Sequence, residues 1–523
     1  MMRTIRTTIL PGLLALTVII RPDAVSAQTP QAGQAPTATG PVIQLTMAEA
    51  EQMALEHNLA LKSDRLDPAI AAENLAQARA AFAPILGSSL SRSSSQSAST
   101  SAFEGGGTIT RTGLQFATNV QQSLPWFGSS YRLSWNAGRS ETTQLGATFN
   151  PSLSAGLQFN FTQPLLAGFR IDGQRLSVET SQRNLSISDI QLEERIIITR
   201  VQAQQAYLNL VAARNRLEVA QQNLDITRQQ LKDNQARVEV GTMAPIDIIE
   251  AEAEVASREE AVISAEAAIA TAEDNLRSLI LDPARQDYWQ VRFDTTEAIT
   301  LQKRDVNIEA AIQTALTDRT DLQVARRRME ITDLSLKATR NSILPTANLN
   351  LSYSASGSGG TQNIFQSGVF PPVIESTSVR GFGSVIGDTF KNNLPTWSLG
   401  LTVSYPIGKS STEANLARQR ISRQQEETAL RAQELSVVTA VRTLGRQVQT
   451  NFQRVTVTQV ARERAQRQLE AEQKKFAVGL SSTFTLQQRQ RDLATARVNE
   501  LNATIDYNTS LILFDAVQKA PVR

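Results

Sequence analysis

The chain has 523 residues, with 52 Lys and Arg against 50 Asp and Glu, one histidine and no cysteine. A balance this even gives no sign of a nucleic-acid surface, and the absence of cysteine excludes disulfides, thiolate metal sites and a lipid-anchored N-terminal Cys. The single histidine, His57, falls on a predicted amphipathic helix, where a surface role outweighs catalysis; no metal and no cofactor are expected.

The first residues read as an export signal. Arg3 and Arg6 precede an apolar core from Ile9 to Ile20, and Val25-Ser26-Ala27 offers a small-residue cleavage site, so the mature chain is expected to begin at Gln28. The apolar core is too short for a span and is broken by Pro11-Gly12. No later apolar run is long enough to cross a bilayer as a helix, so any crossing must use strands closed into a barrel. The Pro-, Gly- and Thr-rich stretch that follows reads as a flexible leader.

An amphipathic helix, irregular at Asp67-Pro68, is predicted from Leu45 to about Ala81, ending before Pro84, and a copy from Val306 to Ile343, ending before Pro345. These belong to an internal duplication. LTMAEAEQMALEHNLAL (45–61) returns as VNIEAAIQTALTDRTDL (306–322), and RAAFAPILGSSLS (79–91) returns as RNSILPTANLNLS (340–352). The order of elements repeats as well, so one architectural unit is present twice.

Period-two strands follow each helix. Tyr131, Leu133 and Trp135 alternate with polar residues, as do Leu157, Phe159 and Phe161, then Ala347, Leu349, Leu351 and Tyr353, then Leu399, Leu401, Val403 and Tyr405. Aromatics near strand ends and a small polar opposite face suit a transmembrane barrel. The Ser/Gly/Thr-rich tracts 91–112, 138–152 and 354–394 read as long loops at one end of it.

Long heptad helices come next. Ile196, Ala203, Leu210, Leu217, Leu224, Leu231 and Val238 recur every seven residues, and Val441, Val448, Val455, Leu469 and Phe476 hold the second seam, with Arg462 interrupting it. The predicted helices, from about Leu176 to Val240 and from about Ala414 to Val478, would each be roughly 100 Å long, against about 30 Å for the bilayer core. The chain thus divides into a signal peptide (1–27), a leader (28–43), a first repeat (44–282), a linker (283–305), a second repeat (306–515) and a C-terminal tail (516–523).

At least four strands per chain are too few for a closed barrel, and lipid does not tolerate open sheet edges, so other copies must complete the sheet. The expected fold is therefore an all-α periplasmic coiled-coil barrel joined to an antiparallel transmembrane β-barrel completed by oligomerisation. No phosphate-binding loop and no nucleophile–base pair stand out, so an enzyme is not expected.

Two helix-hairpin tips carry a family resemblance. RVEVGTMAPIDIIEAE (237–252) and KFAVGLSSTFTLQQRQ (475–490) align with Gly241 on Gly479, each between paired heptad helices. With this layout the chain resembles the TolC family of outer-membrane efflux proteins from about Leu45 to Phe514. The resemblance implies an outer-membrane homotrimer with a twelve-stranded barrel and a helical periplasmic tunnel. It further implies docking onto a periplasmic adaptor protein bound to an inner-membrane pump. The tip residues implied for adaptor contact are Val240, Gly241, Thr242, Val478, Gly479 and Leu480. A periplasmic gate ring is implied at Asp247 and Glu250, although the matching positions of the second tip are Thr485 and Gln488. The expected role is an exit duct for small molecules. A type I protein-secretion duct is the alternative within the class, and a structural coiled-coil surface protein is a remote one.

One feature departs from the family layout. Leu114, Phe116, Thr118 and Val120 alternate ahead of SLPWFG, and a weaker strand lies near Leu86 to Leu90. The first half could thus hold four strands, giving six per chain. By analogy with the family, four in the wall are favoured here.

Overall fold

The computed structural model describes residues 41–100, 107–297, 301–369, 371–408 and 410–522. The expected signal peptide and most of the leader lie outside the described residues. The leader's end is not loose. Strand β1 (Val42–Leu45) pairs in parallel with β6 (Arg292–Thr295), which lies in the stretch read as a linker. Alternation is invisible in four-residue strands, so both were missed.

Helix α1 (Met47–His57) opens with a capping box: the Thr46 side chain accepts from the Glu49 amide, and the Glu49 carboxylate accepts from the Thr46 amide. His57 sits half-exposed in its last turn. The predicted single helix is in fact three, α1, α2 (Leu59–Asp64) and α3 (Asp67–Ala80). The break at Asn58 arises because its side chain caps α2, accepting from the Leu61 amide at 2.9 Å. The copy is likewise two helices, α6 (Ile308–Asp318) and α7 (Thr320–Ser342), divided at Arg319.

Strands β2 (Ile85–Ala98), β3 (Thr108–Ser123), β4 (Ser130–Thr142) and β5 (Phe149–Pro164) form an antiparallel meander, and β5 pairs next with β7 (Thr346–Phe365). Beyond β7, β9 (Pro395–Ser404) pairs with its near end and β8 (Ile374–Arg380) with its far end. These two share one strand position, interrupted by the short helix α8 (Phe382–Phe390), whose Val385 is fully buried against the sheet. The sheet is therefore six strand positions wide, not the four favoured from family analogy. The tracts expected as long loops are largely strand. Their Ser and Thr residues show no apolar alternation, yet their backbone groups still find partners across the ladder.

Helices α4 (Gly173–Glu239) and α9 (Ser411–Ala477) have 67 residues each, and their returning partners α5 (Ile246–Ile280) and α10 (Thr483–Val517) have 35 each. The seam residues Ala203, Leu210, Leu224, Val441, Val448, Val455 and Leu469 are buried as the seven-residue repeat requires. Arg462, which interrupts the second seam, lies with its Nε 2.6 Å from Glu500 Oε2 on α10. That N–H is not aligned for a hydrogen bond, so the contact is an ion pair.

Near the sheet α3, α4, α7 and α9 pack side by side; toward the far end the order is α5, α4, α10, α9. One core joins β1 and β6 to α1, α4 and α5 through Leu45, Tyr207, Leu210, Leu276 and Phe293. A second joins α6 to α9 and α10 through Ile312, Val441, Tyr507 and Phe514. The C-terminal residues expected as a tail are packed. The Lys519 carbonyl accepts from the Thr320 amide at 2.9 Å, capping the start of α7, and Ala520 is fully buried.

Candidate functional site

The sheet has two chemically different faces and two open edges. Following one row across the ladder gives Leu86, Val120, Leu133, Phe159, Tyr353 and Trp397. The adjacent row gives Gly87, Asn119, Ser134, Gln158, Ser354 and Thr396. At this level one face is apolar and the other a hydroxyl and amide surface over all six positions, while farther out the first face also carries Arg92, Arg139 and Glu141. Phe116 meets Trp135 edge-on at 5.6 Å between ring centroids on the apolar face. On the polar face Ser352 and Ser398 share a hydrogen bond of 2.7 Å, and Thr162 donates to Asn350 at 3.1 Å. Strand β9 forms one edge and is exposed along its whole length, with Trp397 72% exposed; β2 forms the other. Among the described residues no helix is long and apolar enough to cross a membrane, and no cluster of His, Asp or Glu could hold a metal.

About one helix length away lie the two tips, and their backbones are copies. At the end of α4 the Gly241 amide donates to the Val238 carbonyl at 3.0 Å and the Thr242 amide to the Arg237 carbonyl at 2.9 Å. At the end of α9 the Gly479 amide donates to Phe476 at 3.2 Å and the Leu480 amide to Lys475 at 2.9 Å. Both are Schellman motifs, and both require a left-handed residue at the same place. Gly241 and Gly479 each have φ of +78°. A side chain there would meet no atom within 4 Å, so the demand for glycine is conformational, about 1–2 kcal/mol, and not steric.

This sharp turn leaves apolar side chains on the outside. Val240 is 73% exposed, Val478 70% and Leu480 77%, with Thr242 beside them and Ile246, Ile249 and Phe484 also exposed. Asp247 is half-buried in the first turn of α5 and Glu250 is exposed one turn further; among the described residues neither carboxylate joins an ion pair. Thr485 is engaged in the cap of α10 with Ser482, and Gln488 donates to Asp492.

The two tips are joined to each other by contacts the sequence reading missed. The Arg237 guanidinium lies 4.6 Å from the centre of the Phe476 ring. Met243 packs on the small core of Leu469, Phe476, Leu486 and Leu493. Arg491 on α10 pairs with Glu254 on α5 at 3.1 Å, and Arg258 holds the other oxygen of the same carboxylate. The available signal was charge of opposite sign at nearly equivalent distances beyond the two glycines. Within the second tip Glu472 accepts a 2.6 Å hydrogen bond from Ser481, and this bond, with Lys475 nearby, holds its carboxyl below the ordinary value.

Residues 50–280 and 311–515 match the family described as outer membrane efflux protein, so the chain belongs to that family. It is an outer-membrane efflux channel protein of the TolC type, with its long helices extending into the periplasm. Among solved structures it is similar to CusC, with a TM-score of 0.65 and 15% identity over 91% of this chain and 92% of that one. The Campylobacter jejuni outer membrane channel CmeC gives a TM-score of 0.63 and 14% identity over 90% and 85%. The Neisseria gonorrhoeae outer membrane channel MtrE, solved in an open state, gives 0.60 and 16% over 90% and 88%. No protein of curated function is close enough in sequence to match.

The Glu472 contact makes the second tip sensitive to acid. A carboxyl whose folded pKa is depressed contributes stability above its unfolded pKa and loses it as pH falls through the folded value. Protection of the amides over residues 475–482, taken relative to the intrinsic exchange rate at each pH, is therefore expected to fall at acid pH, with residues 237–242 of the first tip less affected. Ser481→Ala, which removes the leading cause of the depression, should flatten this pH dependence and lower protection of the second tip already at neutral pH. Hydrogen exchange read by mass spectrometry across a pH series checks both.

Proposed function

We propose that three copies of this chain close into a passive duct that carries small molecules from a periplasmic adaptor and an inner-membrane pump to the exterior. The observation that carries this reading is the wall segment itself, apolar on one face, polar on the other and open at both edges. An unpaired backbone group in hydrocarbon costs several kcal/mol, so β2 and β9 cannot both remain edges in a bilayer. The helical layer supports the same closure. Its outer helices carry exposed apolar side chains, Ile249 and Ile263 on α5 and Leu435 and Val457 on α9, which neighbouring copies would bury. Cyclic symmetry then puts the polar face around an axial passage. The number three rests on the resemblance to the TolC family. The protein purified in detergent is expected to be a trimer with a continuous axial tunnel, seen by native mass spectrometry and electron microscopy. A monodisperse monomer retaining its strand content by circular dichroism would overturn the proposal.

The tips serve as the docking surface for the adaptor. Val240, Gly241, Thr242, Val478, Gly479 and Leu480 stand at the two Schellman turns, where glycine backbone and exposed Val and Leu offer a shallow apolar contact. Replacing both Gly241 and Gly479 with Trp should abolish coupling to the adaptor, because bulk is added where the partner must approach. The trimer should still form, since open space around both positions accepts the side chains. Export measured in cells beside trimer content in membranes checks this; normal export by the double variant would remove the tips from the docking role.

Asp247 and Glu250 form the gate ring. Three copies would set these carboxylates around a narrow opening, raising the negative potential and favouring cations. Their place at the start of α5 also suits the helix dipole, by about 0.3–1 kcal/mol each. Asp247→Asn combined with Glu250→Gln should lower cation-over-anion permeability in planar bilayers and relieve block by multivalent cations. Unchanged selectivity would place the constriction elsewhere.

A further inference from the structure

We infer that all six strand positions of each protomer stand in the barrel wall, so that β2 of one copy pairs with β9 of the next and three copies close eighteen strands. This rests on the trimeric duct reading and fixes the width of its outer-membrane section.

Three observations support the placement. First, the rows nearest the helices run from β2 to β9, with Leu86 and Val120 on the apolar face and Asn119 on the polar face. Farther out the rows continue from β2 to β7, where Leu90 and Phe116 keep the apolar face, Gln115 keeps the polar face, and Leu114 stands between Arg92 and Arg139. A hairpin lying outside the wall would have to part from β4 or β5, giving up a continuous ladder and presenting a polar face to lipid.

Second, the turn between β3 and β4, residues 124–129, is seated on the same base as the other strands. Phe127 stacks on Phe169 at 5.0 Å, just ahead of α4, and its carbonyl accepts from Gln163 at 2.9 Å. Gly128, at φ +67°, lies so close to this base that a Cβ would stand 2.5 Å from the Gly168 carbonyl oxygen. Gln122 on β3 donates to the Phe82 carbonyl at the end of the helix before β2, at 2.8 Å.

Third, the widths agree. At a spacing of about 4.8 Å and a tilt of about 40°, six strands occupy roughly 38 Å of circumference and four strands only about 25 Å. The four helices packed beneath the sheet, α3, α4, α7 and α9, occupy roughly 32–40 Å at 8–10 Å each. The six-strand sheet therefore continues the helical wall without narrowing.

The edges are also compatible. β2 runs away from the helices and β9 returns toward them, so neighbouring copies meet antiparallel, and an even number of strands per copy preserves this around the ring. Eighteen strands give a backbone diameter of roughly 36 Å, against about 24 Å for twelve. The membrane section then admits bulkier solutes than a twelve-stranded barrel, and the periplasmic tips set the size limit.

The cysteine-free chain allows a direct test by disulfide trapping. Ser398→Cys on the polar face of β9 is combined in turn with Cys at Ser89, Ser91, Ser93 or Ser95 on the polar face of β2. A second series combines Ser398→Cys with Ser134→Cys or Asn136→Cys on β4. Each variant is oxidised in outer membranes with copper phenanthroline, which takes up the electrons released as two thiols join, and is read on non-reducing gels beside native mass spectrometry. The expected result is covalent dimers and trimers for at least one β9–β2 pair and none for β9–β4. Trimers that cross-link through β4, or through neither strand, would overturn the eighteen-strand wall and leave the duct reading standing. A protein that is monomeric by native mass would overturn the duct reading, and this inference with it.

Discussion

Backbone hydrogen bonding in a medium without water is the constraint on which this structure turns. In water an open sheet edge is a modest liability, because solvent satisfies the exposed amides and carbonyls. In hydrocarbon each such group is an unmet cost of several kcal/mol, comparable to a large part of a domain's net stability. A chain whose strands form one open, two-faced sheet cannot be at rest in a bilayer as a single copy. The exposed β9 and β2 edges and the apolar side chains on the outer helices express one requirement at two heights of the molecule. In the proposed trimer the strands close for their backbone and the helices for their side chains.

Duplication supplies this economically. Both repeats spend 67 residues on the descending helix and 35 on the returning one, and both end the descent in the same left-handed glycine geometry. The repeats differ in charge at the tips. The first holds the acidic pair Asp247 and Glu250, while the second has Thr485 and Gln488 at those places. The Arg237–Phe476 and Arg491–Glu254 contacts then link the unlike tips within one copy. The two tips of one chain are in this way tied together.

What the sequence revealed follows the physics of each signal. The long helices were legible because a seven-residue period over many turns has few other causes, and the structure starts them at Gly173 and Ser411, three residues before the expected Leu176 and Ala414. The strands bearing large apolar residues were legible for the same reason at period two. The outer parts of β2, β3 and β7 were not, since a Ser-rich strand and a Ser-rich loop have the same composition and differ only in whether a neighbour accepts their hydrogen bonds. The break at Asn58 was hidden because a cap inside a periodic stretch does not disturb the period. Strand number in the first half was undecidable from local pattern. The alternation at Leu114 to Val120 was visible, but its place in the sheet depends on pairings across the meander. At the tips the glycines and their exposed Val and Leu neighbours were legible as a repeated motif, while the ion pair between hairpins depended on a packing no periodicity encodes.

The parallel pairing of β1 with β6 ties residues 42–45 to residues 292–295, and Lys519 caps the helix that begins at Thr320. Each repeat is thus fastened by segments far apart in the chain. During export from the inner membrane the polypeptide emerges from its N-terminal end. The first repeat cannot complete its equatorial core until almost 300 residues have passed, nor the second until nearly the whole chain has. Through most of its delivery the chain lacks the pairings that fasten each repeat. The latches engage in the order in which the chain arrives, so the helical scaffold of each repeat is secured only as its synthesis ends.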